Sequence, residues 1–279
     1  MFLSAIVPSA SGVEPTGIKI DICDEKQVIH SFGASDCWSC QFVGEYWPLP
    51  KRRLIADLLF SMDTDSKGNP KGIGLSMWRF NIGAGSAEQG SASGISSDWH
   101  RAECFQSPDG SYDWSKQKGQ QWFLEAAHER GVPYLLAFSI SPPVQMTLNG
   151  IAHSDPGRKT MNIRDSKLPD FARFLADVAE HFHRKGITFD YISPVNEPQW
   201  GWDNEKQEGT PASNAEIADL SKALSRELKG RGLPSRVVVA EAGSWRWTST
   251  SRGAPCSCLC QWALARATFC SSSCWVRGR

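Results

Sequence analysis

The chain has no net charge and no long hydrophobic run. Its 279 residues hold thirty Lys and Arg against thirty Asp and Glu, so neither a nucleic acid nor a membrane is expected as a partner. No apolar stretch approaches the roughly 20 residues of a membrane-spanning helix. The apolar residues 1–7 lack a basic segment before them and make a poor signal peptide. The length and the 41% hydrophobic content favour one large domain.

The last part of the chain lacks Asp, Glu and Lys, although it contains five of the nine cysteines. Cys256, Cys258 and Cys260 could form a metal or disulfide cluster. However, zinc sites usually add a second Cys pair or His ligands, and no His follows His183. We therefore expect no metal site. We interpret 246–279 as a disordered tail of the kind that a frameshift or mis-splicing produces, after a poorly structured segment at 1–17 and an incomplete domain at 18–245.

Nucleotide-binding and redox signatures are also missing. Gly83-Ala84-Gly85 follows a strand-like run, but the dinucleotide fingerprint G-x-G-x-x-G requires a further glycine where this chain has Glu88. The chain has no P-loop sequence either. Cys37-Trp38-Ser39-Cys40 lacks the thioredoxin-like context of a redox motif, and we expect either a local disulfide or two free thiols there.

Apolar patterns that indicate strands alternate with patterns that indicate helices. Strands are predicted at 18–22, 27–34, 73–82, 132–140, 187–195 and 237–240, and helices at 51–62, 115–130, 169–184 and 214–229. Such alternation predicts an α/β fold with a parallel sheet. Polar residues follow strand after strand, which suits a barrel better than a doubly wound sheet with a single crevice. The prediction is a partial (β/α)8 barrel with about five of its eight units.

Glu197 is the first candidate for catalysis. It directly follows a predicted strand, and barrel enzymes place an acid or base at the carboxyl end of a strand. The adjacent Asn196 can hydrogen-bond a sugar hydroxyl, and Trp200 and Trp202 offer flat apolar faces to a pyranose ring. An ordinary surface acid in a proline-bounded turn is the alternative interpretation.

At these residues the chain resembles glycoside hydrolase family 30, most closely its endo-β-1,6-galactanase-like branch. The resemblance extends over about residues 18–245. The matching stretches are SFGASDCW from Ser31, MWRFNIGAGSAEQG from Met77, SPP from Ser141 with Met146 and Asn149-Gly150, PVNEPQW from Pro194, and QEGTPASN from Gln207. The resemblance implies a (β/α)8 barrel with a side β-domain, retaining cleavage of β-glycosides and no cofactor. On this resemblance, the N-terminal strand is a remnant of the side β-domain.

The resemblance also implies roles for single residues. Glu197 matches the acid/base after strand four, and Asn196 matches the residue that holds the sugar 2-hydroxyl. Glu241 falls at the end of strand five and resembles a residue of the site wall. The substrate-binding set that we predict is Asp36, Trp38, Arg79, Asn149, Asn196, Trp200, Trp202 and Glu241.

The family nucleophile follows strand seven. Three further βα units of at least ~30 residues each place that strand beyond residue 279. We therefore expect an inactive, monomeric fragment of an extracellular enzyme whose substrate is a β-linked galactan or a related polysaccharide. Two alternatives stay open: a non-catalytic carbohydrate-binding protein, and a β-1,6-glucanase, xylanase or glucosylceramidase-like member of the same family.

Overall fold

A computed structural model describes residues 28–203, 206–239 and 241–242, together with Cys23 and the backbone of 274–277. The predicted strand at 18–22, the segment 1–17 and the cysteine cluster at 256–260 lie outside the described residues. So does the rest of the predicted tail, except for residues 274–277.

The described elements follow the predicted alternation. The strands are β1 (Val28–Ser35), β2 (Met77–Ile82), β3 (Tyr134–Ser139), β4 (Tyr191–Ser193), β5 (Arg236–Val237) and β6 (Cys274–Arg277). The helices are α1 (Ser39–Tyr46), α2 (Leu49–Phe60), α3 (Ser86–Gln89), α4 (Lys118–Glu129), α5 (Leu168–Arg184) and α6 (Asn214–Gly230). In this part of the chain, no helix is both long and apolar enough to cross a bilayer.

β2, β4 and β5 are shorter than the predicted strands, and α1, α3 and β6 were not predicted. β4 is much shorter than the predicted strand at 187–195, because Ile187 and Phe189 are buried in the core without joining the sheet. Helix α1 was not predicted, since its eight residues carry no clear apolar period. β6 was not predicted either, and its backbone pairs antiparallel with β1.

The sheet runs in the order β5-β4-β3-β2-β1-β6. β1 to β5 are all parallel, and each pairs with its neighbour in sequence. A doubly wound sheet reverses its strand order at a switch point, and no reversal occurs among these five strands. The arrangement is that of five consecutive strands of a (β/α)8 barrel.

The alternation of side chains along the strands separates two apolar clusters. Trp78, Phe80 and Ile82 of β2 belong to the large cluster that packs the sheet against the helices. Met77 belongs to a smaller cluster with Leu136, Phe138 and Ile140, which Trp38 joins from the loop after β1. Because successive side chains of a strand point to opposite faces, the second cluster lies on the inner face of the barrel sector, the face that also carries Arg79.

Helices α1 and α4 touch through their backbones. A Cβ atom on Gly119 would lie 1.8 Å from the carbonyl oxygen of Gln41, and one on Gly44 would lie 2.2 Å from the carbonyl oxygen of Gly119. Rigid backbone on both sides cannot move away from an added methyl group. Glycine is therefore required for this close approach, which packs α1 beside the first βα units.

We predict that Gly119→Ala lowers the free energy of unfolding by at least about 2 kcal/mol, because the added methyl group overlaps the Gln41 carbonyl. Gly230→Ala is the matched control. Gly230 is also a helical glycine, but nothing lies within 4 Å of the position that its Cβ would take. Gly230→Ala should therefore raise the free energy of unfolding by about 0.4–1 kcal/mol. Urea unfolding followed by tryptophan fluorescence measures both. Equal stability of the two variants would contradict this packing.

Candidate active site

Arg79 joins three strand ends on the inner face of the sheet. Arg79 lies in β2. Its Nη2 donates to Oδ1 of Asn196, which lies in the loop after β4, at 2.7 Å. The same nitrogen forms an ion pair with Oε2 of Glu241 at 2.5 Å, beyond β5. The guanidinium carbon lies 3.2 Å from the ring centroid of Phe138 in β3. The side chains of Arg79 and Glu241 are only 12% and 10% exposed, so this ion pair is poorly screened by water.

Glu197 lies next to this cluster with its backbone fixed on both sides. Its N–H donates to the carbonyl of Glu241 at 3.1 Å, and its carbonyl accepts from the Trp200 N–H at 3.1 Å and from Trp202 Nε1 at 2.9 Å. Its φ of 43° is in the left-handed region, which a non-glycine residue adopts at a cost and which often marks functional sites. These contacts hold the residue in that conformation.

Partial burial raises the pKa of Glu197 above its ordinary value of 4.5. The positive charge of Arg79 opposes this shift, whereas the negative charge of Glu241 adds to it. A carboxyl with a raised pKa holds its proton at higher pH than usual, which is the property that a general acid needs.

Asp36 is buried behind the cluster. Both of its carboxylate oxygens accept from the backbone N–H of Asn81, at 3.0 and 3.2 Å, and its own N–H donates to the carbonyl of Arg79. Burial raises the pKa of Asp36 to about 7, against the lowering effects of the Asn81 N–H and of Arg79. Its contacts brace the end of β2, and a contact with substrate stays a prediction.

The three predicted aromatic residues have different surroundings. The ring of Trp38 packs on His100 with centroids 4.5 Å apart. Trp200 is 50% exposed. The ring of Trp202 lies directly on Gly209, where a Cβ atom would be 2.4 Å from Cδ2 of the indole. Trp200 therefore has the most accessible ring face of the three, whereas Trp202 supports the backbone of Glu197.

Asn149 organises its own loop. Its Nδ2 donates to the carbonyl of His153 and to Asp155, both at 3.0 Å. Its Oδ1 accepts from the N–H of Ile151 and from Nδ2 of Asn162. All these contacts are local, and none joins Asn149 to the Arg79 cluster. Its predicted role in substrate binding gains no support from this geometry.

The sequence reasoning missed Glu208, a fully buried acid in the QEGTPASN stretch. Its carboxylate accepts from the N–H groups of Ala84 and Ser86 and from the Ser86 hydroxyl, at 3.0, 3.1 and 2.6 Å. The glycine-rich turn that failed as a nucleotide fingerprint thus binds a carboxylate of its own chain. An acid between polar loop residues looks solvent-exposed in sequence, and only its place in a motif of the resembling family singled out the stretch.

Neither a metal site nor a disulfide occurs in the part of the chain that the structure describes. Within those residues, no group of three or more His, Cys, Asp or Glu side chains could hold a metal ion. Cys37 and Cys40 are free thiols, which agrees with one of the two alternatives for C-x-x-C.

The position and the chemistry of the cluster define the class of protein. Barrel enzymes hold their catalytic groups at the carboxyl ends of the strands, and Glu197 combines that position with a raised pKa. Both properties agree with a hydrolase of glycosidic bonds on a barrel scaffold, in which a carboxylic acid protonates the leaving oxygen. The sequence model of O-glycosyl hydrolase family 30 matches residues 15–257, and the chain belongs to this family. The matched range ends somewhat beyond residue 245, where the sequence resemblance was expected to stop.

Solved structures and a curated relative agree with this assignment. A conserved exported protein from Bacteroides fragilis is 43% identical, with a TM-score of 0.76 over 81% of this chain and 46% of that one. The catalytic domain of the GH30 xylanase C from Talaromyces cellulolyticus is 22% identical, with a TM-score of 0.59 over 80% and 48% of the two chains, and shows the shared fold. An exo-β-1,6-galactobiohydrolase from Bifidobacterium longum is 29% identical over 99 residues, which are 33% of this chain and 6% of that protein. The chain thus spans less than half the length of each of these relatives.

We predict that the stability of the protein falls as pH rises from about 4 to about 7. The pKa of Asp36 is raised from 3.8 to about 7 in the folded state, so the unfolded state releases this proton first as pH increases. The contribution of Asp36 to the free energy of unfolding is fully present below pH ~4 and is lost as pH rises to ~7, on the order of 1 kcal/mol per pH unit. Urea unfolding of the wild type and of Asp36→Asn between pH 4 and 8 tests this.

Asp36→Asn should have a shallower dependence of stability on pH than the wild type. Asp190→Asn is the control, because Asp190 also accepts a backbone N–H, that of Leu135, but is only partly buried. Parallel pH curves for the wild type and Asp36→Asn would contradict the assignment.

Proposed function

We propose that the chain provides the acid/base half of a retaining glycoside hydrolase that acts on β-1,6-linked galactan. Glu197 is the acid/base, and Arg79, Asn196 and Glu241 form the wall of the sugar subsite. The observation that carries the proposal is the raised pKa of Glu197 beside the ion pair of Arg79 with Glu241. The name of the Bifidobacterium relative supports the β-1,6-galactoside linkage.

In this mechanism Glu197 donates its proton to the glycosidic oxygen as the bond to the anomeric carbon breaks. Partial burial keeps the proton on Glu197 until then, and the positive charge of Arg79 stabilises the carboxylate that remains. Asn196 is held by Arg79 at 2.7 Å through its Oδ1, which leaves its Nδ2 to donate to a sugar hydroxyl. The same carboxylate of Glu197 then accepts a proton from the attacking water.

Retaining cleavage requires a second carboxylate about 5–5.5 Å from the acid/base, which attacks the anomeric carbon. Glu241 is not assigned that role, because it follows β5 and not strand seven. The family resemblance assigns the nucleophile to the loop after strand seven, beyond the five parallel strands described. We therefore propose that the five described strands bind the glycan and supply the acid/base, but not the group that attacks the anomeric carbon. A location outside the cell is part of the proposal, supported by the exported relative from Bacteroides fragilis.

We predict that the 279-residue chain binds β-1,6-galacto-oligosaccharides and releases no reducing ends from β-1,6-galactan. Asn196→Ala should weaken binding at least about tenfold, because it removes the hydrogen bond to the sugar hydroxyl. Glu129→Gln is the control, since Glu129 is exposed at the end of α4. Isothermal titration calorimetry measures affinity, and a reducing-sugar assay measures turnover.

The outcomes separate the competing functions. Tighter binding of β-1,6-gluco- or xylo-oligosaccharides would replace galactan by one of those substrates. Turnover that Glu197→Gln abolishes would show that the protein supplies a nucleophile, and it would contradict the prediction of binding without cleavage. Equal affinity of the wild type and Asn196→Ala, with binding lost only on removal of Trp200, would favour a non-catalytic carbohydrate-binding protein. The observation that supports this second function is the half-exposed Trp200. No binding of any of these glycans would overturn the proposal.

A further inference from the structure

Glu208 connects loops that follow different strands. Through its three hydrogen bonds it holds Ala84 and Ser86, in the turn after β2. The Ser86 hydroxyl also accepts from the N–H of Ala102, at 2.9 Å, so the turn is anchored on a second side. Ala84 in turn accepts through its carbonyl from the N–H of Val144, in the loop after β3, at 2.9 Å. One buried carboxylate thus fixes a turn to which another loop is attached.

The neighbour of Glu208 makes the connection to Glu197. Gly209 donates its N–H to the carbonyl of Ala152 at 2.8 Å, and its Cα faces the ring of Trp202 so closely that no side chain fits. The Trp202 indole N–H then donates to the carbonyl of Glu197 at 2.9 Å. Trp202 has a φ of 52°, so this residue and Glu197 both adopt left-handed backbone conformations that outside contacts must maintain.

We propose that Glu208 is a positioning residue for Glu197, acting through Gly209 and the ring of Trp202. This inference rests on the proposed role of Glu197 as acid/base, but the structural connection can be tested without any glycan. With the carboxylate in place, the backbone at 208–209 is pinned to the turn after β2, and Trp202 has a fixed surface to lie on. Without the carboxylate, the N–H groups of Ala84 and Ser86 lose their acceptor, and the backbone of Gly209, on which the Trp202 ring lies, can move.

The surroundings of Glu208 give the test a second readout. Burial raises the pKa of Glu208 to about 7, opposed by its bonds to Ser86 and Ala84. The charged and titratable groups that face it are Glu88 from α3, Cys37 from the loop after β1 and Cys104 from the loop after α3. Burial raises the pKa of both thiols, so they stay protonated at neutral pH, and Glu88 is paired with Lys116.

The experiment is NMR of the 279-residue protein with ¹⁵N-labelled tryptophan, in which Trp202→Phe identifies the indole resonance of Trp202. In the wild type, this resonance should shift with pH around neutrality. In Glu208→Gln it should move by more than its linewidth and lose the pH response, and the backbone amide of Glu197 should move with it. Asp190→Asn is the control, because this carboxylate binds Leu135 at the opposite end of the strands.

Ser86→Ala provides a milder variant: it removes the 2.6 Å hydrogen bond to Glu208 and the bond that the hydroxyl accepts from the Ala102 N–H, but it keeps both backbone N–H donors to Glu208. It should shift the Trp202 resonance in the same direction as Glu208→Gln and by less, and it serves alone if Glu208→Gln does not fold. Unchanged Trp202 and Glu197 resonances in the folded variants would overturn the proposal. Because no sugar is present, this result is independent of the binding and turnover assays, which test the role of Glu197 itself.

Discussion

The site depends on one largely buried cation. Arg79 binds Asn196 and Glu241 with a single guanidinium nitrogen, while its planar group lies on the ring of Phe138. A buried arginine without these partners would be strongly destabilising, so the strand ends that supply them must converge on β2. The same charge lowers the pKa of both Asp36 and Glu197, against the effect of burial. Arg79 therefore affects both the geometry and the protonation at this edge of the sheet, whereas burial is the main cause of the raised pKa values.

A second buried charge, that of Glu208, orders the loops around this centre. The two residues have complementary tasks: Arg79 gathers the strand ends, and Glu208 fixes the turn after β2 against the segment that supports Trp202. Neither task requires the remaining βα units of a full barrel. On the proposed role of Glu197, the acid/base side of the site is thus preformed within five consecutive strands.

Much of the fold could be predicted from the sequence, because parallel strands buried on both faces leave apolar runs between amphipathic helices. The cluster of Arg79, Asn196, Glu197 and Glu241 could also be predicted, since Arg79 lies in a predicted strand and the other three residues follow the ends of predicted strands. The contacts that Asp36, Trp202 and Glu208 make could not be predicted. They depend on which backbone N–H groups and glycines lie opposite in space, as with Gly209 under Trp202, and such long-range contacts leave no local pattern. β4 was predicted too long for a related reason, as buried apolar residues can pack without pairing.

The most direct test of the account is the protonation of Glu197 itself. Carboxyl ¹³C resonances of the 279-residue protein can be followed across a pH titration, with Glu197→Gln identifying the signal of Glu197. The account predicts a titration midpoint above the ordinary value of 4.5, and a lower midpoint in Glu241→Gln, where the neighbouring negative charge is removed. A midpoint at or below 4.5 in the wild type would contradict the claim that this half of the barrel already holds a functional acid.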